Sequence, residues 1–268
     1  MHQLGRAHAV NPDPLGACGR RRVDDKTCVF QRRAGDRKNG LLACLPDADF
    51  DRLKPLMAIV QLNQGDVLCE SGAQQSHVYF PVSAVVSLMY FTESGGTSEM
   101  ASVGCDGMVG IGLFMGGNST TSRAVVQRSG TAYRLSAVDL HAAFNRGGAE
   151  QHLLLRYTQA LLTQMSQTAA CNRHHSLHQQ LCRWLLLSLD MAPHRDILMT
   201  HESIAHALGV RREGVTEAAG KLREDSAIDY ERGRITVLDR AKLEAGTCEC
   251  YALVKRENER LLPRRVAS

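Results

Sequence analysis

A chain of 268 residues with 44% hydrophobic and 22% charged side chains holds enough apolar material for two cored domains, which excludes a disordered or fibrous protein. No apolar run approaches the ~18–20 residues of a membrane span, and the arginine-bearing N-terminus lacks the apolar core of a secretory signal, so a cytoplasmic protein without a membrane partner is expected. The net charge of +4 is too small to argue for nucleic acid by itself, but its distribution is uneven: nine basic against four acidic residues in 1–40, seven against ten in 41–172, and sixteen against fourteen in 173–268.

Residues 1–38 carry glycine, proline and arginine without periodicity and read as a disordered basic arm or an over-extended translation start. Order is expected from Asn39, where Leu41, Leu42, Leu45, Phe50, Leu53 and Leu56 surround Pro46, with Asp47 placed to cap a short helix. From Ala58 to Leu135 the pattern becomes short β-rich runs, IVQL, VLCE, HVYFPV, AVVSLMYF, EMASV, AVVQ and TAYRL, punctuated by glycines such as Gly65, Gly72 and Gly104. Many short strands at this spacing predict an antiparallel barrel or jelly roll within 39–150. The glycine-rich run GMVGIGLFMGGN at 107–118 predicts a loop able to embrace a small ligand.

After Ser136 the pattern turns helical. Over 151–172, Leu154, Leu161 and Thr168 recur at seven-residue spacing with Tyr157, Thr158 and Met165 between them. This predicts a helix that pairs with its copy through Leu154, Leu161 and Met165; the alternative is a helix packed only on its own roll. A second helix, Leu177 to Met191, leads through Pro193 into a domain assigned to 173–245.

Within that domain, THESIAHALGVRREGVTEAAGKL at 200–222 reads as two short helices around a glycine turn, the pattern of a DNA-reading helix-turn-helix. Thr200 stands at an N-cap, Glu202 follows in the first turn, and Ile204, Ala205 and Leu208 recur on one face. Gly209 makes the turn and Val210 plugs the angle. In the second helix Val215, Ala218, Ala219 and Leu222 share one side, leaving Arg211, Arg212, Glu213, Thr216, Glu217 and Lys221 mostly on the other. An arginine fork suits guanine O6 and N7 or a phosphate, and a glutamate accepts from cytosine N4. AIDYERGRITVL at 227–238 then reads as two strands around a turn at Arg232 and Gly233, a wing whose Arg232 and Arg234 suit phosphate contacts. Beyond Ala245 a tail at 246–268, with Lys255, Arg256, Arg260, Arg264 and Arg265, reads as a solvated end rather than a DNA contact.

The nine cysteines, Cys18, Cys28, Cys44, Cys69, Cys105, Cys171, Cys182, Cys248 and Cys250, include no C-x-x-C pair, and Cys248-Glu249-Cys250 is a poor spacing for a zinc knuckle. They read as free structural thiols. His174 and His178 have the i,i+4 spacing of a helical metal pair, but no acidic or cysteine partner stands near them or His175 in sequence, so no metal is expected.

A β-roll, a long helix and a winged helix-turn-helix, in that order over residues 39–245, resemble the Crp/Fnr family of bacterial transcription regulators. LGVRREGVTEAAGKL at 208–222 resembles the family's recognition-helix region. The resemblance implies an α+β fold: an N-terminal cyclic-nucleotide-binding-like β-roll (a double-stranded jelly roll), a dimerisation helix and a C-terminal winged helix-turn-helix. It places Arg212, Glu213 and Glu217 at base-reading positions with Arg211 beside them. It also implies a homodimer that binds double-stranded DNA and recruits or blocks RNA polymerase. The family's nucleotide cassette carries a glutamate just before an LGLF-like segment and an Arg-Ser pair after the loop. Here GIGLF puts Gly110 at the glutamate position and Gly112 in the same segment, and the later pair reads Ser122-Arg123, reversed. One residue out of register, Arg123 would turn to the other face of its strand. These four residues mark the expected effector loop and argue against cyclic AMP, so the small-molecule effector is open. The iron-sulfur branch uses a tight N-terminal cysteine cluster, and Cys18, Cys28 and Cys44 are too widely spaced for one. No cofactor is therefore expected. Competing readings are a cupin-like metal enzyme using His77, His141 or His152, and a ligand-binding signalling module that no longer touches DNA.

Overall fold

The computed structural model describes residues 37–191 and 196–262. The arm expected at 1–38, Cys18, Cys28, Pro193, Arg264 and Arg265 fall outside this range except for Arg37 and Lys38. The chain enters through two short helices, α1 (Gly40–Ala43) and α2 (Asp47–Leu53). Asn39 caps α1, its Oδ1 accepting from the Leu42 N–H while its amide donates to the carbonyls of Pro81 and Gly107. Pro46, not Asp47, holds the N-cap position of α2. Asp47 is the first helical residue, and its carboxylate faces the Arg37 guanidinium at 2.8 Å.

Seven strands follow: β1 (Ala58–Leu62), β2 (Val67–Cys69), β3 (His77–Pro81), β4 (Val85–Phe91), β5 (Thr97–Val103), β6 (Arg123–Arg128) and β7 (Gly130–Ser136). Each of the seven β-rich runs became one strand. They fold into two antiparallel sheets, ordered β1-β7-β3 and β2-β6-β4-β5. Alternation does the sorting: Val78, Val86, Val103, Ala124, Val126 and Ala132 point inward and are buried.

Ser136 caps α3 (Ala137–Arg146) through the Asp139 N–H, and a turn at Gly147 leads into the 27-residue α4 (Gly148–His174). A capping box of Ser176 and Gln179 starts α5 (Leu177–Asp190). Next come β8 (Asp196–Leu198), α6 (His201–Leu208), α7 (Arg212–Glu224), β9 (Ile228–Glu231), β10 (Arg234–Val237), α8 (Arg240–Gly246) and α9 (Glu249–Leu261). β8-β10-β9 form a small antiparallel sheet. Leu181, Leu185, Leu186, Ile204, Val215, Leu222, Ile228 and Ile235 make one core beneath it. The strand β8 carries no alternation long enough to be read from sequence; it exists because β10 offers it an edge.

The segment after Ala245 is not a solvated tail through residue 262. Cys250, Tyr251, Val254 and Leu261 are buried, and α9 packs on α4. Their helical spacing is an apolar stripe hidden among many charges.

Candidate nucleic-acid interface and effector loop

The helix-turn-helix is built from local rules. The Thr200 hydroxyl accepts from the Ser203 N–H and starts α6, whose Ile204, Ala205, Ala207 and Leu208 are buried. The helix stops at Gly209, whose φ of +68° lies in the left-handed region, and a Cβ there would come within 3.2 Å of the Thr97 carbonyl oxygen. Val210 is half-buried against the core and Arg211 holds the N-cap position of α7. On α7, Val215, Ala218, Ala219 and Leu222 face the core, while Arg211, Arg212, Glu213, Thr216, Glu217 and Lys221 are exposed together.

Ion pairs hold parts of this outer face. Arg212 Nε lies 3.9 Å from Glu202 on α6, and Lys221 Nζ donates to Glu217 at 2.8 Å. That hydrogen bond keeps the Glu217 carboxyl below the usual range and lifts the Lys221 ammonium. Such exposed pairs add little stability. His201 stacks on Tyr230 with centroids 4.0 Å apart, and its Nδ1 lies 3.1 Å from Thr216 Oγ1. Burial, then the nearby Arg212 charge, lower the His201 pKa and favour a neutral ring. Thr216 donates its hydroxyl proton to the Arg212 carbonyl, so its outward capacity is that of an acceptor.

The wing turns at Arg232 and Gly233, with φ of +47° and +80°. Arg232 projects from the tip, exposed; Arg234 Nη1 lies 3.6 Å from Asp196 on β8. The two wing arginines therefore differ: one stands free of that carboxylate and one leans on it.

The loop at 107–118 is anchored by a bridge between Val109 and Tyr79. At Gly110 φ is +109° and a Cβ would lie 2.9 Å from Val78 Cγ1, so this backbone admits no glutamate there without rearrangement. Gly112 is similarly close, 3.1 Å from the Ser119 carbonyl oxygen. Ser122 is buried and shares a hydrogen bond of 2.9 Å with Thr120, whereas Arg123 opens β6 on the outer face, donating to Glu70 at 3.0 Å with its guanidinium over the Phe91 ring. A cavity of about 290 Å³ lies elsewhere, between the roll, α4, α5 and α9, with Ser102, Asp106, Tyr157, Gln164 and Lys255 in its wall.

The face of α4 requires a correction. Leu154 and Leu161 are buried against the chain's own roll, and Met165 packs partly on the same core. The exposed large apolar residues of α4 are Leu155 and Leu162, also seven apart, at 48% and 50% exposure. The heptad period identifies stripes but not which stripe meets the roll, and here the helix carries two.

A buried polar hub joins the roll to the helix-turn-helix domain and gave no sequence signal, because Glu99 and Trp184 lie 85 residues apart in the chain. Glu99 on β5 accepts from Ser102 at 2.6 Å, from Trp184 Nε1 at 3.1 Å and from Ser87. Burial pushes its carboxyl above the usual range, against these donors and the Arg183 charge. Thr97 donates to the His206 carbonyl at 3.0 Å, so the β4–β5 hairpin also touches α6. His77 on β3, His141 on α3 and His152 on α4 do not converge on a shared ligand position among the described residues.

Two family models match the chain: a cyclic nucleotide-binding domain over residues 59–146 and a Crp-like helix-turn-helix domain over 179–245. No curated protein matches it. Solved structures similar to it include a putative transcriptional regulator of the Crp/Fnr family from Eubacterium rectale (15% identity, 78% of this chain and 98% of that one, TM-score 0.62). FixK2 from Bradyrhizobium japonicum is similar at 14% identity, over 72% of this chain and 98% of that one, with a TM-score of 0.59. A Crp/Fnr-family transcriptional regulator from Thermus thermophilus is similar at 21% identity, 73% and 98% coverage and a TM-score of 0.58. These likenesses concern the fold. No helix among the described residues is long and apolar enough to cross a membrane.

Proposed function

We propose that the chain, which matches a cyclic nucleotide-binding domain model and a Crp-like helix-turn-helix domain model, is a Crp/Fnr-type transcription regulator that acts as a homodimer, binds specific double-stranded DNA and recruits or blocks RNA polymerase, under a signal other than cyclic AMP. The observation that carries this reading is the outer face of α7: Arg211, Arg212, Glu213, Glu217 and Lys221 stand exposed over a helix whose other side is buried, and Arg232 is exposed at the wing tip. Arg212 and Arg211 supply forks for guanine or phosphate, Glu213 and Glu217 accept from cytosine or adenine amino groups, and Arg232, with Arg234 behind it, supplies phosphate contacts that set register.

Dimerisation is assigned to the outward stripe of α4, Leu155 and Leu162, since a twofold protein matches a twofold site. The case against cyclic AMP rests on Gly110, which offers no carboxylate to a ribose, and on Arg123, which is already paired to Glu70. Neither competing reading is favoured: His77, His141 and His152 do not converge, and the exposed arginines of α7 are those a DNA reader requires.

Selection of bound duplexes from a random library with the purified full-length protein tests the reading. A twofold-symmetric motif is expected without added nucleotide. Recovery of duplexes with no common sequence, at a salt concentration that suppresses nonspecific phosphate binding, would overturn it.

A further inference from the structure

We propose that Cys171, His175, Cys248 and Cys250 form a tetrahedral site for a divalent ion of the zinc type, tying the end of α4 to the start of α9. Their ligand atoms all lie within 4.8 Å of one another. Cys171 Sγ is 3.6 Å from Cys248 Sγ, and Cys250 Sγ is 3.5 Å from His175 Nδ1. Tetrahedral coordination with zinc–sulfur bonds of ~2.3 Å and a zinc–nitrogen bond of ~2.0 Å sets ligand-to-ligand edges of roughly 3.5–3.8 Å, so the shorter edges already have the required length. The three thiols are buried and cluster with each other rather than with the aliphatic cores.

The surroundings are those of a metal site. His175 turns Nδ1 toward the cysteines while its Nε2 lies 3.3 Å from Glu249, the outer carboxylate that orients a metal-bound imidazole. Gln167 donates its amide to Cys250 Sγ at 3.1 Å, a bond that strengthens when the sulfur is a thiolate. Arg183, 2% exposed and with its Nε unpartnered among the described residues, bonds Thr168 one turn before Cys171 and places a positive charge near Cys171. Three thiolates, one neutral imidazole and a divalent ion sum to a single negative charge, which that guanidinium offsets. Loading balances as three thiol protons released to solvent for three sulfur–metal bonds formed.

The ligands escaped sequence analysis because they come from two distant segments. Cys171 and His175 are one turn apart at the end of α4, and Cys248 and Cys250 occupy the N-cap and second positions of α9. Of the three adjacent histidines, the structure selects His175, not the His174–His178 pair with helical spacing. The ion would fasten α9 to α4 beside the junction with α5 at Ser176, the link between the roll and the DNA domain. The site does not rest on the DNA-binding reading, and its test uses no DNA.

Metal analysis of the full-length protein purified under reducing conditions should give about one zinc per chain. Cobalt substitution should give thiolate-to-cobalt charge-transfer bands and strong tetrahedral ligand-field bands in the native chain, a readout independent of whether variants fold. Cys171→Ser or Cys250→Ser should abolish the charge-transfer pattern or change its number of sulfur ligands, and Glu249→Gln should weaken affinity about 10-fold or more. Cys44→Ser should leave the spectrum unchanged. A reduced native chain that takes up neither ion, iron with acid-labile sulfide in place of zinc, or cobalt bands insensitive to the ligand substitutions would overturn the proposal.

Discussion

The outer face of α7 and the loop at 107–123 are both expected ligand-contacting surfaces, and they have fared differently. On α7 the exposed arginines and glutamates sit above a continuous buried stripe, so backbone and side chains agree on one purpose. In the loop the two positions expected to hold a nucleotide offer it no free group: Gly110 has a backbone that disfavours a side chain, and Arg123 leans on Glu70 at the outer surface. A domain match over the roll thus says nothing by itself about what the roll binds.

The largest effect should come from breaking the proposed dimer at α4. Leu155→Glu combined with Leu162→Glu should give a monomer by sedimentation and weaken binding to a selected twofold duplex by about 100-fold or more, because the second half-site no longer binds intramolecularly. Unchanged dimerisation would move the interface off α4. Next, Arg212→Ala should cost about 1–3 kcal/mol on the preferred duplex and relax discrimination at one base position, measured by titration against single-base variants. Arg232→Ala should weaken all duplexes alike and reduce the slope of log affinity against log salt by about 1. At the loop, Arg123→Ala should cost no more than about 2 kcal/mol of stability and leave DNA affinity untouched, since it removes a partly exposed pair with Glu70 and a cation–π contact with Phe91.

The hub between the two regions predicts a pH dependence. Burial holds the folded Glu99 carboxyl above its unfolded value. Its stabilising contribution is therefore fully present below the unfolded pKa of about 4 and is lost as pH rises through the folded value. In urea unfolding, Glu99→Gln should lack this loss, so the variant gains stability relative to the native chain as pH increases. A native chain that instead gains stability over the variant across the same interval would show that its hydrogen-bond donors and the Arg183 charge outweigh burial and hold the Glu99 carboxyl below its unfolded value.

Contiguity explains what could be read in advance. The seven β-rich runs and the stretch 200–222 carry their instructions within a few residues: alternation, a Thr200 cap, a Gly209 stop and a stripe at Val215, Ala218, Ala219 and Leu222. Features assembled from distant segments were not legible. Glu99 meets Trp184 across 85 residues and Cys171 meets Cys248 across 77, and no local pattern encodes either approach. The direction of α4 failed for a different reason: Leu154–Leu161 and Leu155–Leu162 have the same period, and only the roll decides which pair is buried. The helix α9 was obscured by its charge, though Cys250, Tyr251, Val254 and Leu261 already had helical spacing.

Affinity for the selected duplex, measured in moderate salt with and without cyclic AMP, tests the central claim most directly. The account predicts specific binding that is the same in both conditions. Specific binding that appears only when cyclic AMP is present would contradict the reading of the loop, and the absence of any sequence preference would contradict the reading of α7.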